Sequence, residues 1–149
     1  MSTTQPIRSK QLLHDFKEYF LTKQPNSRNY TLVLIGLNTA LRINDILHLT
    51  WGDVYCTEHS RFYTHLLITE KKTEKETRIL INRELQETLL SYRKTQPSIA
   101  DTDYLFPSPR KADSPLSRYQ AYRIVRRAAE QVGIDDVVRC HSLRKTFGY

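Results

Sequence analysis

The sequence predicts a mixed α+β chain, mainly helical, organised as one domain over residues 1–149. Three observations carry that reading. Apolar residues recur at offsets of three and four through residues 10–20, 82–95 and 118–132, the period of a helix with one buried face. Between residues 54 and 82 the composition turns to β-favouring residues broken by turn-forming and charged runs, as short antiparallel strands require. A length of 149 residues is enough for one core and too little for two of ordinary size.

The first stripe is Leu12, Leu13, Phe16 and Phe20, with Ser9 placed to cap it. Pro25-Asn26-Ser27 interrupts the chain, and residues 30–41 follow as a nearly unbroken apolar run, expected to be a buried helix. Arg42 comes directly after it, and Asn44 can cap a short helix containing Ile46, Leu47 and Leu49, so Arg42 is expected at a junction between helices. Trp51-Gly52-Asp53 reads as a turn. Residues 54–57, 65–70 and 77–82 are expected to pair as a small three-stranded antiparallel sheet, with the charged run 71–76 joining the last two strands. Asn82 then caps a helix to about residue 95 with Leu85, Leu89 and Tyr92 on its inner face. After a loop marked by Pro97, Pro107, Pro109 and Pro115, Ser117 and Gln120 form a capping-box pattern and Gly133 marks a stop. The helix between them should turn Tyr122, Val125, Ala129 and Val132 inward and leave Arg118, Arg123, Arg126 and Arg127 in solvent. A last helix is expected to begin near His141 or Ser142.

An apolar fraction of 39% and a charged fraction of 26%, with 4 Gly and 6 Pro, exclude disordered and collagen-like classes. No stretch approaches the ~20 consecutive apolar residues that span a bilayer, and the first thirty residues are polar throughout, so neither a membrane span nor a secretion signal is expected. Cys56 and Cys140 lie far apart without metal-site spacing, which points to a reducing, cytoplasmic home. The net charge of +7 draws polyanions, and residues 110–149 hold nine Lys or Arg against four acids. Nucleic acid is the leading class of partner.

Three local patterns are sharper than charge. The first is Asn38-Thr39-Ala40-Leu41-Arg42-Ile43-Asn44-Asp45-Ile46-Leu47-His48-Leu49 leading into Trp51-Gly52-Asp53-Val54. The second is Lys71-Lys72-Thr73-Glu74-Lys75-Glu76-Thr77-Arg78 between two expected strands, and the third is His141-Ser142-Leu143-Arg144-Lys145-Thr146-Phe147. Together, in this order, they resemble the catalytic domain of tyrosine recombinases, the phage-integrase family, from about residue 7 to residue 149. The resemblance implies that family's catalytic-domain fold and DNA recombination or integration by metal-free transesterification, without a cofactor. It also implies double-stranded DNA as substrate and a homo-tetramer as the working assembly.

The chemistry explains the residue types. A phosphodiester under attack passes through a crowded anionic state, so fixed positive donors must surround its oxygens. Arginine suits the task, because its planar fork holds two phosphate oxygens and stays ionised at any working pH. Arg42 and Arg144 are therefore expected to converge on one phosphate. An arginine directly after a buried helix is expected to need a buried partner, and Asp45 is the candidate carboxylate to orient it. His141 sits one helical turn before Arg144 on the same face, suited to a phosphate hydrogen bond or to proton transfer. Expelling a 5′ deoxyribose oxygen requires a proton. Lys72 aligns best with the family's lysine general acid, with Lys71 and Lys75 as neighbours on the same hairpin that also read as solvated charges or DNA contacts. Arg118, Arg123, Arg126 and Arg127 are candidates for DNA-backbone contact, or an ordinary solvated face. His14, His48, His59 and His65 lack the company of metal ligands and are expected at the surface or in packing.

The sequence departs from the family at its ends. The resemblance implies a nucleophilic tyrosine roughly thirty residues beyond Arg144, whereas Tyr149, one turn past Arg144, reads as a packing residue. It also implies an N-terminal DNA-clamping domain, for which these residues leave no room. The expectation is thus a partial catalytic domain that binds DNA phosphate weakly and in a salt-sensitive way without cleaving, as a monomer or a non-native dimer. Two alternatives stand beside it. One is a non-catalytic DNA-binding or regulatory module derived from a recombinase; the other is a generic helical protein with a basic surface, in which Arg42 and Arg144 make separate contacts.

Overall fold

The computed structural model describes residues 10–69, 73–96, 98–111 and 113–134. Helix α1 (Lys10–Glu18) runs directly into a π-helical segment, Tyr19–Lys23, whose wider turn is closed by Gln24 N–H donating to Tyr19 O at 2.8 Å. The widening lets Phe16, Tyr19 and Phe20 all face inward, with Phe20 meeting the other two rings edge-on at 5.6 and 5.3 Å. Asn26 caps α2 (Ser27–Asn38), its side chain accepting from Asn29 N–H at 3.0 Å. Residues 31–36 of α2 are buried all round, as the apolar run predicts. Its end comes three residues earlier than that run suggests, because Asn38 and Thr39 turn their side chains back on the carbonyls of Leu34 and Ile35 at 2.9 and 2.7 Å.

Helix α3 (Ile43–Leu47) is capped by Arg42 and not by Asn44: the Arg42 carbonyl accepts from Asp45 and Ile46 N–H at 3.0 and 3.1 Å. Trp51-Gly52-Asp53, read from sequence as a turn, is a one-turn helix, α4 (Trp51–Val54). Thr50 and Asp53 form its capping box, with the Asp53 carboxylate accepting from Thr50 N–H at 2.8 Å. The next N–H groups, of Trp51 and Gly52, donate to the carbonyls of Asp103 and Asp101 at 2.9 Å each. A distant loop thus completes an element too short to hold itself.

The expected three-stranded sheet is instead two separate antiparallel ladders. Strand β1 (Tyr55–Cys56) pairs with β2 (Arg61–Phe62) across a tight turn in which Ser60 takes a left-handed φ of 51°. Strand β3 (His65–Thr69) pairs with β4 (Glu76–Leu80), in the register Leu67 opposite Arg78. The first predicted strand turns back on residues left unassigned in the sequence because the Tyr55 and Phe62 rings pack edge-on at 4.9 Å. Helix α5 (Arg83–Lys94) follows, capped by Asn82 and burying Leu85, Leu89 and Tyr92, all as expected. Helix α6 (Arg118–Gln131) opens on the Ser117/Gln120 capping box and ends before Gly133, whose φ of 81° favours glycine. Its buried stripe is Ala121, Val125, Ala128 and Ala129, so the expected inward positions Tyr122 and Val132 lie half-buried at its margins.

The core joins α2, packed on α5, to an aromatic stack in which Tyr92 lies between Trp51 and Phe106 at 5.4 and 6.3 Å. Its hydroxyl donates to the Leu105 carbonyl, and burial pushes its pKa up to about 12 against the opposing pull of Arg28. Arg93 covers the outer edge, 3.9 Å above the Tyr55 ring. Among the described residues, no helix is long and apolar enough to cross a membrane.

Candidate DNA-phosphate site

Arg42 is placed by its neighbours. Leu41, 5% exposed, and the buried Ile46 anchor the chain on either side of it, and its own extended backbone (φ −74°, ψ 151°) turns the chain from α2 into α3. The side chain is exposed. Among the described residues its guanidinium makes no hydrogen bond or ion pair, and half-buried Asp45 does not contact it. Among the described residues, the carboxylate partner expected from sequence is therefore not found. An arginine at the rim of a helix junction keeps its stem against apolar surface and its head in water, so it needs none. Among the described residues nothing engages its five N–H donors, which suit an anion.

Helix α3 packs against α6, which carries the second group of cations. Arg118, Arg123, Arg126 and Arg127 are all exposed, as predicted, and Tyr119 is 68% exposed beside them. They are not equivalent. Arg126 donates to Glu130 at 2.9 Å and to the Tyr122 hydroxyl at 2.8 Å, and these bonds raise its pKa further above the arginine range. Arg123 lies 5.9 Å from the Tyr119 ring, and among the described residues no ion pair is made by Arg118, Arg123 or Arg127. On the β3–β4 hairpin, exposed Lys75 donates its backbone N–H to Thr73 Oγ1 at 3.3 Å, next to Glu74 with its left-handed φ of 54°.

Lys71, Lys72, His141, Arg144 and Tyr149 lie outside the described residues, so the convergence of Arg42 with Arg144 and His141 is not on view. Three of the remaining histidines, His14, His48 and His59, are exposed; His48 Nδ1 lies 2.7 Å from Asn44 O, and His65 Nδ1 lies 3.0 Å from Thr64 Oγ1. Sequence reasoning passed over Arg28. It stands half-buried in the first turn of α2, facing α6 across a groove of about 880 Å³. A lone arginine in a helix's first turn, opposed to the helix dipole, was the one signal for it.

Residues 5–149 match the phage integrase family. The chain belongs to that family. It is 43% identical over 149 residues to the probable integrase/recombinase YoeC of Bacillus subtilis (strain 168), which covers all of this chain and 75% of that protein. Over 125 residues it is 30% identical to the type 1 fimbriae regulatory protein FimB of Escherichia coli (strain K12), covering 83% of this chain and 59% of the relative. Among solved structures, XerA recombinase superposes with a TM-score of 0.75 at 24% identity over 97% of this chain. The lambda integrase (residues 75–356) bound to DNA superposes with a TM-score of 0.71 at 16% identity over 99% of this chain. The chain spans three quarters of the Bacillus relative but about half of each of those two solved chains. This member of the integrase family therefore has the fold of the tyrosine-recombinase catalytic core, a mainly helical body with small antiparallel ladders.

Proposed function

We propose that this chain is the phosphate-binding part of a recombinase that breaks and rejoins DNA strands at specific sites, by transesterification without a metal. Arg42 and Arg144 would clamp the non-bridging oxygens of the scissile phosphate, and their fixed charge would stabilise the crowded anionic transition state. His141 would add a hydrogen bond to the same phosphate. Lys72, reaching from the hairpin into the minor groove, would protonate the departing 5′ oxygen, while Lys75, Arg118, Arg123 and Arg127 would hold the flanking backbone. The attacking tyrosine, by family spacing, would lie about thirty residues past Arg144, so residues 1–149 would bind duplex DNA in the cytoplasm without cutting it. The lambda integrase has been solved as a tetramer bound to a Holliday junction, and a fourfold assembly on DNA is the corresponding proposal for the whole protein here.

One observation carries the reading: in a chain of the integrase family, Arg42 stands unneutralised among the described residues at a rigid helix junction. The test is duplex binding across a salt series. Affinity should fall steeply with salt, and Arg42→Ala or Arg144→Ala should weaken it further. Unchanged affinity in both variants removes the clamp. A suicide DNA substrate should yield no covalent complex, and capture of DNA on Tyr149 would overturn the assignment of that residue to packing.

A further inference from the structure

We infer that the groove between α6 and the start of α2 holds a second stretch of duplex DNA backbone, contacted by Arg28. This rests on the DNA-binding reading above and adds to it a contact that the three motifs do not contain. One wall carries Arg28 and Asn29, and the other carries Tyr122, Arg123 and Arg127. Arg28 is half-buried, yet its only acceptor among the described residues is Asn29 Oδ1, 3.0 Å from Nε. No carboxylate pairs with it among those residues. A partly covered arginine with most of its donors unused among the described residues is suited to complete its hydrogen bonding with an anion from outside. Across the groove, Glu130 is taken by Arg126, so Arg123 and Arg127 keep their charge. Three guanidiniums without a carboxylate partner among the described residues, on two facing walls, match a chain of repeated phosphates better than one small anion.

Spacing supports the same occupant. Arg28 and Arg42 flank the two ends of α2, a rod buried through residues 31–36. From Arg28 to Asn38 the helix rises roughly 15 Å at 1.5 Å per residue. A helix of that length laid along a duplex, at about 3.4 Å per base pair, would set its two ends roughly four base pairs apart. On this reading Arg28 would help set how the helix lies against the backbone on which Arg42 is proposed to act.

The test measures binding of a mixed-sequence duplex over a salt series. Arg28→Ala should weaken binding about fivefold near 0.1 M salt and flatten the plot of log affinity against log salt by about 0.9, the value of one lost phosphate contact. Arg28→Lys should restore most of the slope. Arg127→Glu, on the exposed face of α6, should weaken binding at least as much, and Arg28→Gln, which keeps the stem without the charge, takes the place of Arg28→Ala if thermal melts show the latter to be unfolded. Arg83→Ala, on α5, should change neither affinity nor slope. Unaltered slopes in folded Arg28→Ala and in Arg127→Glu, with Arg42→Ala still impaired, overturn the groove, and the backbone role of Arg127 with it, and leave the Arg42 clamp standing. Failure of the unaltered chain to bind duplex DNA overturns both.

Discussion

Asn82 and Asn38 join two helices end to end: Asn82 Nδ2 donates to Asn38 Oδ1 at 2.7 Å. The other oxygen of the pair is equally employed, since Asn82 Oδ1 accepts from Leu85 N–H at 2.9 Å as the cap of α5. Asn38 in turn donates to the Leu34 carbonyl and closes α2 four residues before Arg42. One amide therefore ties the start of α5 to the end of the helix that aims the arginine.

Replacing Asn82 by alanine removes both bonds and should lower stability by about 1–2 kcal/mol. Asn82→Asp keeps the cap and loses the donor, and should cost roughly half as much. Urea denaturation midpoints at constant slope measure both. Equal losses in the two variants would show that the tie between helices dominates the cap.

Gly52 makes a close backbone approach to the loop around Asp101. A Cβ there would sit 3.0 Å from the Asp101 carbonyl oxygen and 3.2 Å from Asp101 Cβ. That loop cannot easily withdraw, because Asp101 also accepts from Gly52 N–H at 2.9 Å and from Thr57 Oγ1 at 2.7 Å. Gly52→Ala, which in an open helix would stabilise by up to about 1 kcal/mol, should here destabilise by about that amount. A raised melting temperature would contradict this.

Tyr92 makes stability fall in alkali. Its pKa is raised by burial from 10.0 to about 12, so the folded state resists ionisation that the unfolded state accepts. The contribution is fully present below pH 10 and is lost as pH climbs from 10 towards 12, a loss of the order of 2 kcal/mol. Tyr92→Phe should be less stable at neutral pH by about 1 kcal/mol, having lost the bond to the Leu105 carbonyl. Its stability should also decline less between pH 10 and 12. Parallel pH profiles for the two proteins would disprove the assignment.

Glu130 restrains Arg126 through a 2.9 Å ion pair with both side chains about 60% exposed. Arg126→Ala should therefore weaken duplex binding less than Arg123→Ala or Arg127→Ala. Glu130→Gln should tighten it about threefold, since a released guanidinium and one acid fewer both favour a polyanion. Fluorescence anisotropy with labelled duplex measures the order of these effects, and a weaker Glu130→Gln complex would refute it.

Where local chemistry decides the outcome, the sequence was legible. Asn82 and Ser117 announce α5 and α6 to within a residue or two, because a cap is a contact made within three positions. Misreadings arose where distant partners decide. Gly52 suggested a turn, but the loop around Asp101 and Asp103 supplies the acceptors that make α4 a helix. Three β-favouring runs suggested one sheet, yet the Tyr55 and Phe62 rings close a hairpin of their own. Periodicity misjudged α6 by about one residue because small alanines, weak in hydropathy, fill its buried side. Of the proposed site, the motif singled out Arg42 but not its exposure, and Arg28 drew no notice because the reading proposed for it depends on the helix opposite.

Those alanines have a further consequence. Ala121, Ala128 and Ala129 act as thin shims, letting the backbone of α6 settle close to the layer beneath. A helix moves as a rigid bar, so any thickening underneath would lift the outer row of guanidiniums by the same distance. In the proposed complex, the fit of that row to a duplex would thus be adjusted from the hidden side, by methyl groups out of reach of the nucleic acid.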